Sequence, residues 1–458
     1  MSAPEIPTKK MALRSKFERV VARLEAADLL TTLKGAGLVM AIRLTGGLGT
    51  LLLQVFLARW LGLFEYGIYA YVWVWIYMLA LVAPMGLNDG AVKFIAEYLG
   101  KEDWPHLHGV MRVVTFLPIV SSIASALMGA FVIWMLSDQI EAYYVLPLLT
   151  GMIFVPLFSV ADVQEGVARG FGWMNFAYVP NYIFRPLMVV LFTGGAYYIF
   201  GSANAVTAIW AGIAAIAVSM TVQRVLLSRK IRTTVEAAEP AYKTRAWVIY
   251  SAPLILICTF ELILANMDMI MLGYFKDPDV VGVYFSATRI HNLVCFIQFA
   301  AVSIAAPRFS RLHAMGSLDE LNQFMKGIAH LMFWPTLGAF LFLLVFGSWV
   351  LSWFGEGFEA GYLAMVILVG GLLVRNTVGP IEYLLNMTGN QNASLMALGT
   401  AGIVNLCFNA LLIPDYGMQG AAMATALSYV VGTSLLVILL KRRLGMTSFV
   451  FLNWPKLS

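Results

Sequence analysis

Lysine and arginine occupy alternate connections between the long apolar stretches of this chain, and that alternation constrains the fold more than any other feature of the sequence. A chain threaded through a bilayer keeps its Lys and Arg in the cytoplasmic loops. The pattern therefore predicts a polytopic membrane protein and assigns its orientation before any residue has a role. Composition agrees: of 458 residues 60% are hydrophobic and only 12% charged, with a mean hydropathy of +0.80, too apolar for a soluble globule. The formal net charge of +5 is read as membrane orientation and not as nucleic-acid binding, because the long uncharged runs leave no basic face.

Stretches able to cross about 30 Å of hydrocarbon as helix lie near residues 36–60, 66–84, 109–136, 143–161, 176–199, 203–226, 246–274, 281–304, 328–351, 361–384, 393–413 and 420–440. They predict an all-α polytopic membrane protein of about 12 transmembrane helices, the fifth interrupted by Pro180 and Pro186. With the N-terminus inside, the cytoplasmic face receives the basic leader, Lys93 and Lys101 of an 85–108 loop, Arg169, the central linker, Arg308, Arg311 and Lys326 of a 305–327 loop, and the basic tail. The opposite face receives Asp138, Glu141, Asp277, Asp279, Glu356, Glu359 and Asp415, with Lys276 its clear basic residue. Both termini are thus expected in the cytoplasm.

The most polar internal stretch, RKIRTTVEAAEPAYKTR, divides the chain into halves of six expected helices each. The organisation is a leader at 1–34 with an amphipathic pattern over 11–30, an N-terminal six-helix lobe at 35–227, a charged linker at 228–245, a C-terminal six-helix lobe at 246–441 and a tail at 442–458. No short apolar core with a small-residue cleavage site precedes Gly35, so the first helix is expected to act as the insertion signal. The halves echo each other: Gly67 and Tyr69 in LGLFEYGIYAYV recur as Gly282 and Tyr284 in DPDVVGVYFSAT, an offset of 215 in both cases. Two six-helix halves in one chain suit alternating access to a site between them.

Charge inside hydrocarbon is costly, so charged residues within the stretches should line a wet interior, pair or reach a headgroup. Arg43, Arg59, Arg112, Arg185, Arg289 and Arg375 lie within or at the edges of the stretches, as do Glu261, Asp268 and Glu382. Six arginines against three carboxylates predict a cavity for negative charge, since guanidinium forks match phosphate and carboxylate oxygens. The expected substrate-binding set is Arg43, Arg375, Arg289, Arg185 and Arg59. For Arg59 and Arg112, near helix ends, anchoring is the rival role; for Arg43 and Arg375, deeper in, it is a structural ion pair. Asp268 and Glu261, seven residues apart on one helix face, are candidates for ion coupling to H+ or Na+, against a role in neutralising Arg43 or Arg289. GGLG at 46–49 lacks the Lys-Ser/Thr of a phosphate loop and reads as a close helix crossing. Cys258, Cys295 and Cys407 stand alone in apolar runs and the His residues are scattered, so neither a metal nor another cofactor is expected.

NMDMIMLGYFKDPDVVGVYFSATRI at 266–290, AAPRFSRLHAMG at 305–316, LGLFEYGIYAY at 61–71 and NMTGNQNASLMALGTAGIVNLCFNALLIPDYGMQGAAMATALSY at 386–429 resemble the polysaccharide transporter branch of the multidrug/oligosaccharidyl-lipid/polysaccharide exporter superfamily. The resemblance implies a MATE-like fold of two pseudo-symmetric six-helix lobes. Asp268 then matches the acidic position ahead of LG, Gly282 and Tyr284 the GxY element, and Pro307 the helix-end proline. It implies flipping of polyprenyl-(pyro)phosphate-linked oligosaccharide repeat units across a bacterial plasma membrane, for exopolysaccharide, capsule or O-antigen synthesis, without covalent chemistry. The implied partners are the lipid-linked oligosaccharide, membrane lipids and a polysaccharide polymerase or assembly protein, with the monomer as the working unit. A multidrug/cation antiporter of the same superfamily and a flippase for another anionic lipid-linked precursor are the alternatives; a membrane scaffold is a weaker one.

Overall fold

The computed structural model describes the backbone of residues 9–451 and the side chains from residue 40 onward, apart from some positions within 253–264 and residues 304 and 307. The side chains of the leader, Cys258, Glu261 and Pro307, and the tail residues 452–458, lie outside the described residues. Helices succeed one another without a strand among the described residues: α1 (Lys9–Val82), α2 (Leu87–Gly100), α3 (Trp104–Met135), α4 (Ala142–Met152), α5 (Phe154–Gly170), α6 (Met174–Val179), α7 (Arg185–Phe200), α8 (Ala205–Thr234), α9 (Thr244–Phe275), α10 (Pro278–Ala314), α11 (Leu318–Ser352), α12 (Tyr362–Asn376), α13 (Ile381–Met387) and α14 (Gln391–Leu444).

Among the described residues, eight helical stretches are long and apolar enough to cross a membrane, or nine if α4 and α5, bent by 41° at Ile153, form one span. The number is below the twelve expected because helices run on where the sequence suggested separate spans. Chain direction changes inside α1 at Gly62 (φ 77°, ψ 174°) and inside α14 at Gly417 (φ 55°, ψ −128°), so each of these long elements holds two arms. Both conformations carry positive φ, which glycine adopts without a Cβ penalty.

Three connections expected to be loops are largely helix. Residues 85–108 contain α2, whose Leu87, Ala91, Phe94, Ile95 and Tyr98 recur at helical spacing and are buried, while Lys93 and Glu97 face outward. In 305–327 only the turn between Ala314 and Leu318 is free of helix. Helix α8 continues through the basic residues to Thr234, leaving 235–243 as the extended part of the linker. The charges in these segments mark the exposed faces of amphipathic helices and do not break them. The proline interruption is as expected: Pro180–Phe184 forms a π-helical turn between α6 and α7.

Gly67 and Gly282 are points of close approach between the second arm of α1 and the start of α10. A Cβ on Gly67 would lie 1.8 Å from the Pro278 carbonyl oxygen, and one on Gly282 would lie 2.9 Å from that of Leu63. At the offset of 215, Leu63 corresponds to Pro278 and Gly67 to Gly282, so the two contacts are images of one another, self-complementary as at a twofold interface. Tyr66, Tyr284, Phe285 and Phe358 are fully buried around this junction, with the Tyr66 ring 5.8 Å from that of Phe285 and 5.7 Å from that of Phe358. The echo in the sequence is therefore a packing element: small residues allow the backbones to meet, and aromatic rings fill the space around them.

Candidate functional site

A cavity of about 290 Å³ opens between the two arms of α1, the α5 helix, the π-helical turn, α7, α8 and α10. Roughly ten waters would fill it at liquid density. Its polar lining includes Thr50, Gln54, Asp162, Glu165, Asn181, Arg185 and Arg289, and Tyr69, Trp73, Tyr77, Phe158 and Tyr182 supply much of the rest of the wall.

Arg289 reaches this cavity from the second half of the chain. It lies seven residues beyond Gly282, two turns along the face of α10 that meets α1. Its guanidinium sits 3.9 Å from the centroid of Phe285, and its buried Nε has no hydrogen-bond partner among the described residues. Arg185 begins α7 immediately after the π-helical turn and lies over the Phe158 ring at 5.2 Å. Among the described residues neither arginine forms an ion pair. The two carboxylates each accept one amide: Asn88 Nδ2 donates to Asp162 Oδ2 at 2.8 Å, and Asn181 Nδ2 donates to Glu165 Oε2 at 2.8 Å. Tyr66 donates to Gln54 Oε1 at 3.0 Å, fixing the neutral side of the wall.

Arg43 stands beside the cavity, not in its lining. Its guanidinium is ringed by Tyr178 at 5.0 Å, Tyr182 at 5.7 Å and Phe299 at 5.1 Å, and its buried Nε is also without a partner among the described residues. Tyr182 is shared: its ring packs on Arg43 and also lines the cavity. Arg59 lies elsewhere: its Nε donates to the Trp353 carbonyl at 2.6 Å, tying the first arm of α1 to the end of α11. Arg375 belongs to a separate cluster in the second half, where its Nη2 is 3.0 Å from Glu382 Oε2 and its guanidinium lies 5.3 Å from the Tyr429 ring centroid.

That second cluster is internally bonded. Tyr284 donates to Asp268 Oδ2 at 2.5 Å, and the Met269 N–H donates to Asp268 Oδ1 at 2.9 Å. His291 stacks on Tyr429 at 6.3 Å, Asn405 Nδ2 donates to Thr425 Oγ1 at 3.2 Å, and Asn409 Nδ2 donates to Asn405 Oδ1 at 2.9 Å. No group of three or more His, Cys, Asp or Glu side chains with metal-binding geometry occurs among the described residues.

The structure thus joins Arg185 and Arg289 in one cavity, sets Arg43 next to it, and engages Arg59 and Arg375 in contacts within the protein. It also revises the expected charge surplus. Helix α5 runs on to Gly170, so Asp162 and Glu165, beyond the expected stretch at 143–161, lie in the same wall as the two arginines. The cavity has mixed charge. The DxxE spacing was the available signal, since residues three apart share a helix face.

Residues 32–313 match the model of the family described as polysaccharide biosynthesis protein. The chain belongs to that family. The polysaccharide biosynthesis match covers more than half of the chain, runs from the first arm of α1 to the end of α10, and includes every residue of the cavity. Among curated proteins, the chain is 26% identical over 170 residues to the probable low-salt glycan biosynthesis flippase Agl15 of Haloferax volcanii, covering 37% of this chain and 36% of that protein. It therefore spans only about a third of that relative's length. Among solved structures, an inward-facing multidrug resistance MATE family transporter of the MOP superfamily superposes with a TM-score of 0.73 at 15% identity, over 89% of this chain and 98% of that one. The lipid II flippase MurJ in an inward closed conformation gives a TM-score of 0.66 at 12% identity, over 88% of this chain and 87% of that one. This polysaccharide biosynthesis family member is an all-α, multi-pass membrane protein with a MATE-like fold.

Proposed function

We propose that this protein flips an anionic lipid-linked glycan precursor across the membrane by alternating access. One observation carries the reading: Arg185 and Arg289 face a shared aromatic-walled cavity with no ion-pair partner among the described residues, at the junction where the halves meet. A bidentate fork from each arginine would replace the hydration of a phosphate or pyrophosphate, and Arg43 behind Tyr182 would add a third. Family membership and the likeness to a glycan biosynthesis flippase support the same cargo class. The cargo class is set more broadly than exopolysaccharide, capsule or O-antigen repeat units, since the arginines recognise phosphate and another anionic lipid-linked precursor would suit them equally.

Mechanism follows from the size and position of the cavity. At about 290 Å³ it suits a phosphate group with its water, so the sugars require the halves to part. The lipid tail stays in the bilayer while the headgroup crosses. Twelve spans in two six-helix lobes are the reading of the long broken helices, supported by the mirrored Gly67 and Gly282 contacts. With the basic segments inside, both termini face the cytoplasm of a prokaryotic plasma membrane. Cargo must be held comparably by both orientations, because strong preference for one would trap it. Direction would come from an ion: Asp268 in the second half, or Asp162 and Glu165 in the cavity, could exchange H+ or Na+ during the cycle. The monomer carries both halves and is the proposed working unit, delivering its cargo to a polymerase or assembly protein.

The cavity carboxylates support a second reading, export of an organic cation. Proteoliposomes separate the two. Protein-dependent flipping of a polyprenyl-pyrophosphate oligosaccharide, with no transport of a cationic dye, is the expected result; dye transport without lipid flipping would reverse the assignment.

A further inference from the structure

We propose that a groove between the first turns of α3, the outer face of α8 and the start of α9 binds the phosphate headgroup of an anionic glycerophospholipid from the surrounding bilayer. The groove has a volume of about 730 Å³ and shares no lining residue with the central cavity.

Chemistry is sorted along the groove as it is along a lipid. On α3, His108, Arg112, Thr115, Phe116 and Ile119 recur at three- and four-residue spacing and line one wall. Ionisable groups occupy the first part and apolar groups the second, over roughly 16 Å of helix rise. Beyond the groove, the exposed apolar stripe continues through Val120, Ile123 and Leu127, at the spacing of one helix face. Phe116, at the change from polar to apolar, is 69% exposed. An acyl chain could lie along that stripe while its phosphate stays at the polar end.

Two arginines from different helices contribute to the groove. Arg112 of α3 and Arg224 of α8 both line it, together with Tyr242 and Thr244. Arg112 Nη1 donates to the Tyr242 hydroxyl at 3.4 Å, a weak bond that leaves most of the fork free. No carboxylate lies within ion-pair distance of either arginine among the described residues. Two unpaired guanidinium groups beside an apolar slot call for an amphiphile with net negative charge; a zwitterionic headgroup brings a cation that opposes them. The bulk lipid is favoured over the glycan-bearing cargo because the apolar end continues on the exposed face of α3 and not into the central cavity.

Occupancy would act on the connection between the halves. The linker is strapped to this same end of α3: the Ala241 N–H donates to the Pro105 carbonyl at 2.9 Å, and His108 Nε2 lies 2.9 Å from the Glu236 carbonyl oxygen. A Cβ on Gly109 would lie 1.8 Å from the Ala241 carbonyl oxygen, so the strap is closely fitted. A phosphate bridging Arg112 and Arg224 would hold α8, the strap and α3 together.

Native mass spectrometry of the purified full chain, titrated with dioleoylphosphatidylglycerol and, separately, dioleoylphosphatidylcholine, tests the assignment. The wild type should retain the anionic lipid preferentially, and Arg112→Ala with Arg224→Ala should weaken that retention about tenfold or more. Arg224→Ala alone, at an exposed side chain with no ion-pair partner among the described residues, keeps the test open if the double variant folds poorly, and should give an intermediate loss. Equal retention of both lipids by the wild type, or unchanged retention in folded Arg224→Ala protein, would overturn the proposal. Stronger retention of a polyprenyl phosphate than of phosphatidylglycerol, abolished by the same substitutions, would overturn the bulk-lipid assignment and place cargo in the groove.

Discussion

Arg289 and Arg375 begin from similar circumstances: each lies in an apolar helix and each guanidinium sits over an aromatic ring, Phe285 at 3.9 Å and Tyr429 at 5.3 Å. Their surroundings then diverge. Arg375 is bonded to Glu382 within a cluster that also ties Tyr284 to Asp268. Arg289 opens into the cavity with Arg185, and the nearby carboxylates are occupied by Asn88 and Asn181. Charge in an apolar helix is therefore insufficient to identify a cargo site. A satisfied charge holds the fold; a charge presented to a cavity and left unpaired is available to a ligand.

This contrast can be broken most forcefully at Arg289. Replacing it with Ala should lower the flipping rate at least about a hundredfold, equivalent to two charge-assisted hydrogen bonds, while membrane yield and elution volume stay near wild type. Next in size is Gly67→Val, whose added atoms must displace the Pro278 backbone; overpacking of about 1–3 kcal/mol or more should appear as reduced yield of folded protein in fluorescence-detected size exclusion. Arg375→Ala should instead lower thermal stability by about 1–3 kcal/mol by stranding Glu382. Adding Glu382→Ala should recover part of that loss, a coupling readable in a double-mutant cycle. Smallest in rate is Asp162→Asn, which keeps a side-chain oxygen for Asn88; ungradiented flipping should stay within about threefold of wild type, and a lost response to a proton or sodium gradient would assign coupling to the first half.

Much of the fold was legible because its signals are local. Apolar length marks the helices, Pro180 and Pro186 mark the break before α7, and the paired glycines mark the packing junction. Continuity was less visible: the charges of α2 and the end of α10 lie on exposed faces of helices that pack on their apolar sides. Asp162 and Glu165 were missed because ending an apolar stretch at its first carboxylate excludes charges that the fold satisfies with Asn88 and Asn181, residues 74 and 16 positions away. The partner of Arg375 lay across the turn between α12 and α13, where spacing alone does not show that the chain folds Glu382 back toward it. What sequence spacing lacked throughout was tertiary pairing, which decides whether an arginine is free.

The central claim is that Arg185 and Arg289 hold the phosphate of the cargo. Its most direct measurement is the affinity of purified protein for a short-chain prenyl pyrophosphate, compared among the wild type, the combined Arg185→Ala and Arg289→Ala variant, and the combined Arg375→Ala and Glu382→Ala variant. The account predicts at least about a tenfold loss for the cavity pair and a change within about twofold for the ion pair. Equal binding by wild type and the folded cavity variant, or a selective loss on removing Arg375 and Glu382, would contradict it.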